Sequence, residues 1–598
     1  MCGIIGYVGF DNAYDKLIDC LKLLEYRGYD SVGIALFNNG KIEVNKLAGR
    51  TSDLENKLRV LKLKGRCGIG HTRWATHGVV NDINAHPFKV KRVCLVHNGI
   101  IENYKELINE YHLNDLSSQT DSEVIASLLN KFYDGNPLRT IIKVRKLLKG
   151  TYALLMMFDD HLDTIYAIRH ISPLVYSSNK GNTLITSETL PLNKEYNEYF
   201  ILEENQILEV NNGVNVYDEN LNIVDRKSHK LTENIDLDLS DYDSYLDKEI
   251  HEQPLVLQGC INHYVRDGLP DFNFGLEGIN KIGMIACGTS YHACLFAKEV
   301  IERYAKIECN VTVASEFNYH KHFIDDKTLV IALSQSGETI DTIEACKCAK
   351  KYGCKLLSLV NVENSELVHI SDYHLLSYAG RELSVASTKA YTSQLLILKL
   401  FALYLALIKK TASEEVVRNK IIELKNIPNT ISKILNNEDK IKDLAGSIRD
   451  KKIFLLARGN DYISLLESAL KIKELAYLNV NTYMAGEIKH GPIALIDENS
   501  VVIGLSLNKE LNVKLINNLR ECESRKARVA LLTSDKLDTK QIKDTYIFPK
   551  DSDENLELCC IVFFQLLAKN LALILGRDVD KPRNLAKVVT VEWLSWVR

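Results

Sequence analysis

The sequence predicts an α/β protein of several domains, its distal half built from two doubly wound parallel sheets. Three observations carry that prediction. The chain has 598 residues, and a single hydrophobic core stops growing beyond roughly 250–300, so two to four domains are expected. Its composition, 46% apolar and 25% charged, is that of a soluble globular protein. Its distal half repeats: residues 281–291 (KIGMIACGTSY) align with 452–462 (KIFLLARGNDY), and Ala314-Ser315-Glu316 meets Ala485-Gly486-Glu487 at the same offset. One residue later in register, 330–334 (VIALS) meets 502–506 (VIGLS). Each copy alternates short apolar strands with helical stretches, the pattern of a doubly wound domain. Ligands in such sheets sit outside the carboxyl ends of the strands.

Charge and hydropathy exclude other classes. A net charge of −4 lacks the basic footprint of a nucleic-acid protein. The most apolar stretches, 395–408 and 559–575, are interrupted by Lys399 and by Gln565, Lys569 and Asn570, so buried helices are expected and not membrane spans. Met1 is followed by Cys2-Gly3-Ile4-Ile5-Gly6 and not by a basic start and an apolar run, so no secretory signal is expected. Fourteen cysteines without paired metal-ligand spacing predict reduced, mostly inert thiols in the cytoplasm.

The chain begins with a candidate nucleophile. Once Met1 is removed, Cys2 carries a thiol beside a free α-amine of pKa about 7.7–8.0, close enough to neutrality to act as general base. That is the N-terminal nucleophile arrangement. Taken alone, a cysteine at position 2 is more often incidental. It is followed by Tyr26-Arg27-Gly28-Tyr29-Asp30-Ser31, then by 68–78 (GIGHTRWATHG), 96–103 (VHNGIIEN) and 119–123 (QTDSE). In this order and spacing the blocks resemble the class II glutamine amidotransferase family over roughly residues 2–230. The resemblance implies a four-layer αββα glutaminase with Cys2 as nucleophile. It further implies Asn98 and the Gly99 N–H as oxyanion hole, Arg73 and Asp121 as holders of glutamine's carboxylate and amine, Thr76 and His77 in the pocket, and Trp74 at an ammonia gate. A guanidinium fork fits a carboxylate, and a carboxylate fits an ammonium. The spacing of His71, His77, His86 and His97 matches no standard zinc pattern, and the family needs no metal or cofactor.

An acidic, Tyr-containing stretch from Glu233 to Glu249 reads as a solvated linker. The expected domains are therefore 1–235, a linker over 236–252, a first α/β copy over 253–430, and a second over 431–598 with the C-terminal tail.

The first copy carries a candidate phosphate cradle. The apolar run 330–333 ends in Ser334-Gln335-Ser336-Gly337-Glu338-Thr339 and opens onto a helical pattern. Backbone N–H groups at a helix start, flanked by hydroxyls, suit a phosphate, whereas the bland alternative is a turn with Ser as N-cap. The lysine of a Walker loop is absent. The second copy has Ser506-Leu507-Asn508-Lys509-Glu510 there, so it is expected to supply something other than phosphate binding.

With Cys287-Gly288-Thr289-Ser290, Val385-Ala386-Ser387-Thr388-Lys389-Ala390, Lys471-Ile472-Lys473-Glu474, 486–492 (GEIKHGP) and 580–587 (DKPRNLAK), this half resembles tandem SIS domains that bind phosphosugars. A class II glutaminase followed by two SIS domains is similar to the glutamine–fructose-6-phosphate aminotransferase family, in its shorter bacterial form. That resemblance implies glutamine and fructose 6-phosphate as substrates. Thr289, Ser290, Ser334, Gln335, Ser336, Thr339, Val385, Ala386 and Ser387 would be the phosphosugar contacts. Glu474 is implied as the base for the proton shift, with Lys471 beside it. Lys587 is implied as a Schiff-base lysine, and His490 as the ring-opening group, reaching the site of the partner subunit in a homodimer. On a helix Lys471 and Glu474 share a face, and a surface ion pair is the bland alternative. The last six residues, 593–598, extend past the family's usual end. A regulator that senses phosphosugar without reacting would lack Lys471, Glu474, His490 and Lys587. Synthases that aminate other acceptors carry nucleotide or pyrophosphate loops not found here. An isomerase that uses no glutamine would not need Cys2, Arg73, Asn98 and Asp121.

Overall fold

The computed structural model describes residues 2–38, 40–75, 78–192, 195–231, 238–534 and 542–588. Thr76, His77 and the 593–598 extension lie outside the described residues. The chain forms two compact units, one of Met1–Leu237 with Ala586–Arg598, the other Asp238–Leu585.

The first unit is two antiparallel sheets, of eight and six strands, faced by helices. Gly3–Val8 lies in the larger sheet between Cys67–Arg73 and Asn182–Thr186. Its side chains alternate with the period of a strand. Ile4 and Val8 enter the core between the sheets with Ile69, Val96 and Leu155. Ile5 and Tyr7 turn to the opposite face, under the amphipathic helix Ala13–Leu24. Asp121–Phe132 and Pro137–Arg145 cover the second sheet through Val124, Leu128 and Ile141. The result is the expected helix–sheet–sheet–helix stack, with Cys2 at the head of a central strand.

The second unit holds two five-stranded sheets, parallel throughout. Both share one order: Glu308–Val313, Lys281–Ala286, Thr328–Ser334, Lys355–Val360, Tyr373–Leu376 in the first, and Val480–Met484, Lys452–Ala457, Ser500–Ser506, Arg528–Thr533, Asp544–Ile547 in the second. The order reverses between Lys281–Ala286 and Thr328–Ser334, and between their counterparts, which opens a crevice at those carboxyl ends.

The two apolar stretches become the helices Lys389–Ile408 and Asp553–Ile574, both mostly buried in this unit. Their polar interruptions find partners inside: Lys399 lies 3.2 Å from Glu554, Gln565 accepts from the Gln253 amide at 2.8 Å, and Lys569 pairs with Asp247 and Glu438. One expectation is corrected. The 236–252 segment is not a solvated linker from Tyr245 onward, because Tyr245–His251 is a helix with Leu246 and Ile250 fully buried. Its acidic residues bind groups far away in sequence. Asp247 holds Lys569, while Glu249 accepts from the Leu383 and Ser384 backbone. The Asp580 carboxylate caps the helix, accepting from the N–H groups of Tyr245 and Leu246 at 3.0 and 2.7 Å. At the other end of the chain, Ala586–Val588 group with the first unit and not with the second α/β copy.

Candidate active sites

In the first unit, the strand geometry delivers Cys2 to the loop that follows Cys67–Arg73. The Trp74 N–H donates to Cys2 Sγ at 3.3 Å, and the thiol donates to the Trp74 carbonyl at 3.6 Å. Burial pushes the thiol pKa up, opposed by the Trp74 N–H and the Arg73 and Arg27 guanidiniums. Asn98, on the strand Val93–Ile101, donates its Nδ2 to the Cys2 carbonyl at 2.8 Å. Gly99 beside it has φ +139°, and an added Cβ would lie 2.0 Å from the Thr151 carbonyl oxygen, so only glycine fits. Arg73 and Asp121 are both nearly buried, and Asp121 is fixed by the Ile101 N–H at 2.7 Å. Cys2, Arg73, Trp74, Asn98, Gly99 and Asp121 are thus tied together at one end of the sheets by short backbone and side-chain links.

The nearby histidines are structural. His71 and His86 stack at 4.0 Å, and the His97 N–H donates to His86 Nδ1 at 3.2 Å. Burial pushes His71 down to about 3 and His86 well below its usual value, so both rings are neutral at pH 7. Among the described residues, the one cluster with metal-ligand geometry is Asp247, His251 and Glu438 in the second unit. The Lys569 ammonium already bridges its two carboxylates.

In the second unit the site lies at the crevice that the strand order opens. Ser334 ends Thr328–Ser334, and its Oγ accepts from the Gly337 N–H at 3.0 Å and meets Thr339 Oγ1 at 2.9 Å. Ser336 Oγ accepts from the Glu338 N–H at 3.1 Å. Gly337 takes φ +68°, and a Cβ there would collide with Ser365 Oγ at 2.0 Å. The loop therefore curls tightly, presenting hydroxyls and N–H groups ahead of the helix Ile340–Lys350. Across the crevice, Thr289 and Ser290 open the helix Gly288–Ala305, and Gln394 donates to Ser290 Oγ at 3.2 Å. Val385 and Ala386 are buried, and Ser387 Oγ donates to Glu382 at 3.0 Å.

Lys471 and Glu474 share a face of Asp461–Ala476, 2.6 Å apart. The surface-pair alternative fails because the Lys471 side chain is 1% exposed. Its Nζ donates to Thr289 Oγ1 at 3.2 Å and lies 3.3 Å from Glu467, itself fully buried. Burial alone would lower the Lys471 pKa, but Glu474 and Glu467 outweigh it and hold the pKa above its ordinary value. Lys471 is thus an ammonium at neutral pH, and of the pair only Glu474 could accept a proton.

Sequence reasoning missed Glu467. Its carboxylate accepts from Thr289 Oγ1 at 3.0 Å and from His292 Nδ1 at 2.6 Å, joining two helices beneath the site. The signal was present, since Glu467 precedes Lys471 by one helical turn. Glu382, buried and accepting from the N–H groups of Thr388 and Ala390, had no such signal. Two expected residues stand apart. His490 is exposed on the turn between Glu487–Lys489 and Pro492–Leu495, and among the described residues no hydrogen bond or ion pair joins it to Lys471 or Glu474. Lys587 lies in the segment that groups with the first unit.

Comparison with known proteins places these features in families. The SIS domain model matches residues 275–404 and 448–574, and the glutamine amidotransferase domain model matches 71–194. The chain is 38% identical over 608 residues to a glutamine–fructose-6-phosphate aminotransferase (isomerizing) of Clostridium acetobutylicum, covering 99% of this chain and 100% of the relative. It is 40% identical over 607 residues to the protein of the same name from Thermococcus kodakarensis, with 99% and 100% covered. Among solved structures, the C-terminal domain of glucosamine-fructose-6-phosphate aminotransferase from Francisella tularensis matches at 34% identity and a TM-score of 0.56, covering 58% of this chain and all of that one.

Proposed function

The chain belongs to the glutamine–fructose-6-phosphate aminotransferase (isomerizing) family, and from that premise we propose how its residues divide the work. The enzyme converts fructose 6-phosphate and glutamine into glucosamine 6-phosphate and glutamate. In the first unit Cys2 Sγ attacks the side-chain amide of glutamine, its proton passing by way of the α-amine left by loss of Met1 to the departing ammonia, and water then hydrolyses the glutamyl thioester to glutamate and free Cys2. Asn98 Nδ2 and the Gly99 N–H receive the charge that develops on the amide oxygen. Arg73 and Asp121 hold the carboxylate and amine of the substrate. The ammonia released has to be kept from bulk water, where it would be protonated, and Trp74, whose backbone brackets the thiol, gates its exit into a channel.

In the second unit the Ser334–Thr339 loop takes the sugar phosphate, with Thr289 and Ser290 opposite and Val385, Ala386 and Ser387 along the sugar. His490, supplied by the partner subunit of a homodimer, opens the ring. Lys587 forms a Schiff base at C2 and yields it to ammonia. Glu474 then removes the proton from C1 and returns it to C2, while the Lys471 ammonium offsets the negative charge that develops on O1. The observation that carries this reading is Lys471, buried at the strand-order crevice, paired with the partly exposed Glu474 and hydrogen-bonded to Thr289. A cation fixed beside a carboxylate is what a 1,2 proton shift requires.

The test follows glutamate release from glutamine with and without fructose 6-phosphate, while the sugar product is identified by mass. Glutamate and glucosamine 6-phosphate forming together, faster with the sugar present, is the expected result. Glutamate release without any amino sugar would overturn the assignment of the second site.

A further inference from the structure

The second α/β copy keeps the crevice of the first but not its cradle, and the structure shows what has taken its place. The strands superpose in register. Lys281 pairs with Thr328 in the first copy as Lys452 pairs with Ser500 in the second. By the same offsets Ser290 corresponds to Asp461, and Gln335 and Ser336 correspond to Leu507 and Asn508. In the first copy Ser290, a neutral hydroxyl, faces the cradle and pairs with Gln394. In the second, the Asp461 carboxylate is 3% exposed and accepts the Leu507 N–H at 2.8 Å. The Asn508 N–H is aimed at the same carboxylate. The curled loop has gone as well. Ile340–Lys350 starts six residues past Ser334, but Lys509–Glu523 starts only three past Ser506, so no such loop precedes the second helix.

We infer that Asp461 is an internal stand-in for phosphate: its carboxylate fills the ancestral anion seat of the second copy, holding the chain to one phosphosugar while leaving a latent oxyanion site beneath it. A carboxylate and a phosphate monoester are both oxyanions that accept from paired backbone N–H groups. The choice of a tethered anion has a second effect. Asp461 is the first residue of the helix that carries Glu467, Lys471 and Glu474, so the same bond fixes that helix to the end of Ser500–Ser506. Burial, with Glu557 and Asp553 of the neighbouring helix, pushes the carboxyl pKa up to about 7, and the Leu507 and Asn508 N–H groups pull it down. At pH 8 the charge is in place.

The inference rests on the Ser334–Thr339 loop being the first copy's phosphate seat, and the experiment separates the two. The full-length protein and its Asp461→Gly variant are melted at pH 8 in saturating fructose 6-phosphate, which occupies the first seat, while inorganic phosphate is titrated. Asp461→Gly should show a saturable rise in melting temperature of about 3 °C that wild type lacks. Asp461→Asn, which leaves a side chain in the seat, should stay flat. If the glycine variant does not fold, Asp461→Ser restores the residue type of the first copy and takes its place. Equal phosphate responses in wild type and variant, or none in a folded variant, would overturn the inference. Failure of wild type to bind fructose 6-phosphate at all would instead count against the first seat.

Discussion

Lys471 is buried where water hardly reaches, and two carboxylates answer its charge. Glu474 sits at 2.6 Å and Glu467 at 3.3 Å. Glu467 touches no sugar position assigned here, so it acts as a positioning residue, and its loss should be visible in a pH profile. In Glu467→Gln one of the two charges holding Lys471 protonated is gone, and burial, the largest influence on the amine, is opposed by less. The pKa of Lys471 falls, so activity that needs the ammonium is lost at a lower pH than in wild type. The alkaline limb of kcat for amino-sugar formation should move down, with kcat near neutrality about tenfold reduced and Glu467→Asp recovering part of it. A lower rate with an unmoved alkaline limb would mean that Glu467 serves packing alone. At this scale the sequence singled out Cys2, Asn98-Gly99 and Lys471-Ile472-Lys473-Glu474, which the structure groups with expected neighbours, whereas His490, in as clear a motif, joins neither Lys471 nor Glu474 among the described residues. Glu467 and Glu382 were harder to find, because a carboxylate that works through another residue leaves no pattern beyond helical spacing.

Between elements, the two apolar helices show how polar interruptions specify partners. Lys399 is 2% exposed within Lys389–Ile408, and Glu554, on the other long helix, answers it together with Lys420 and the Tyr304 hydroxyl. The sequence reading took these interruptions as signs of burial and not of membrane crossing. It could not name the partners, which lie more than 130 positions away. For the same reason Tyr245–His251 passed for a linker: its cap is Asp580 and its anchor Lys569, invisible to any local pattern. Burial raises the Glu554 pKa, but Lys399 and its neighbours bring it down to about 2 from an ordinary 4.5. Since the folded value lies below the unfolded one, this stabilisation is complete above about pH 5 and is lost as pH falls toward 2. Glu554→Gln leaves Lys399 buried without its charge and should cost about 3 kcal/mol at pH 7. Urea unfolding should show the gap to wild type narrowing steadily from pH 5 downward. A gap independent of pH would assign the loss to hydrogen bonding and not to charge.

The molecule as a whole is two units that each bury their own core. The apolar clusters of the first unit, around Ile4, Ile5 and Val124, contain no residue of the second. The clusters around Leu396 and Phe564, Phe454, and Val330 contain none of the first. Cooperative unfolding follows shared buried surface, so calorimetry should resolve two transitions where a single core would give one. The ligands then become labels. The residues proposed for glutamine, Cys2, Arg73, Asn98, Gly99 and Asp121, belong to the first unit, and those proposed for the sugar phosphate, Ser334–Thr339, to the second. A ligand that binds only a folded unit raises that unit's transition by mass action. Fructose 6-phosphate at about a hundred times its Kd should therefore raise one transition by several degrees. The other should stay where it is. A single transition that fructose 6-phosphate raises as a whole would mean that the units unfold as one body and that the separation of their cores does not govern stability.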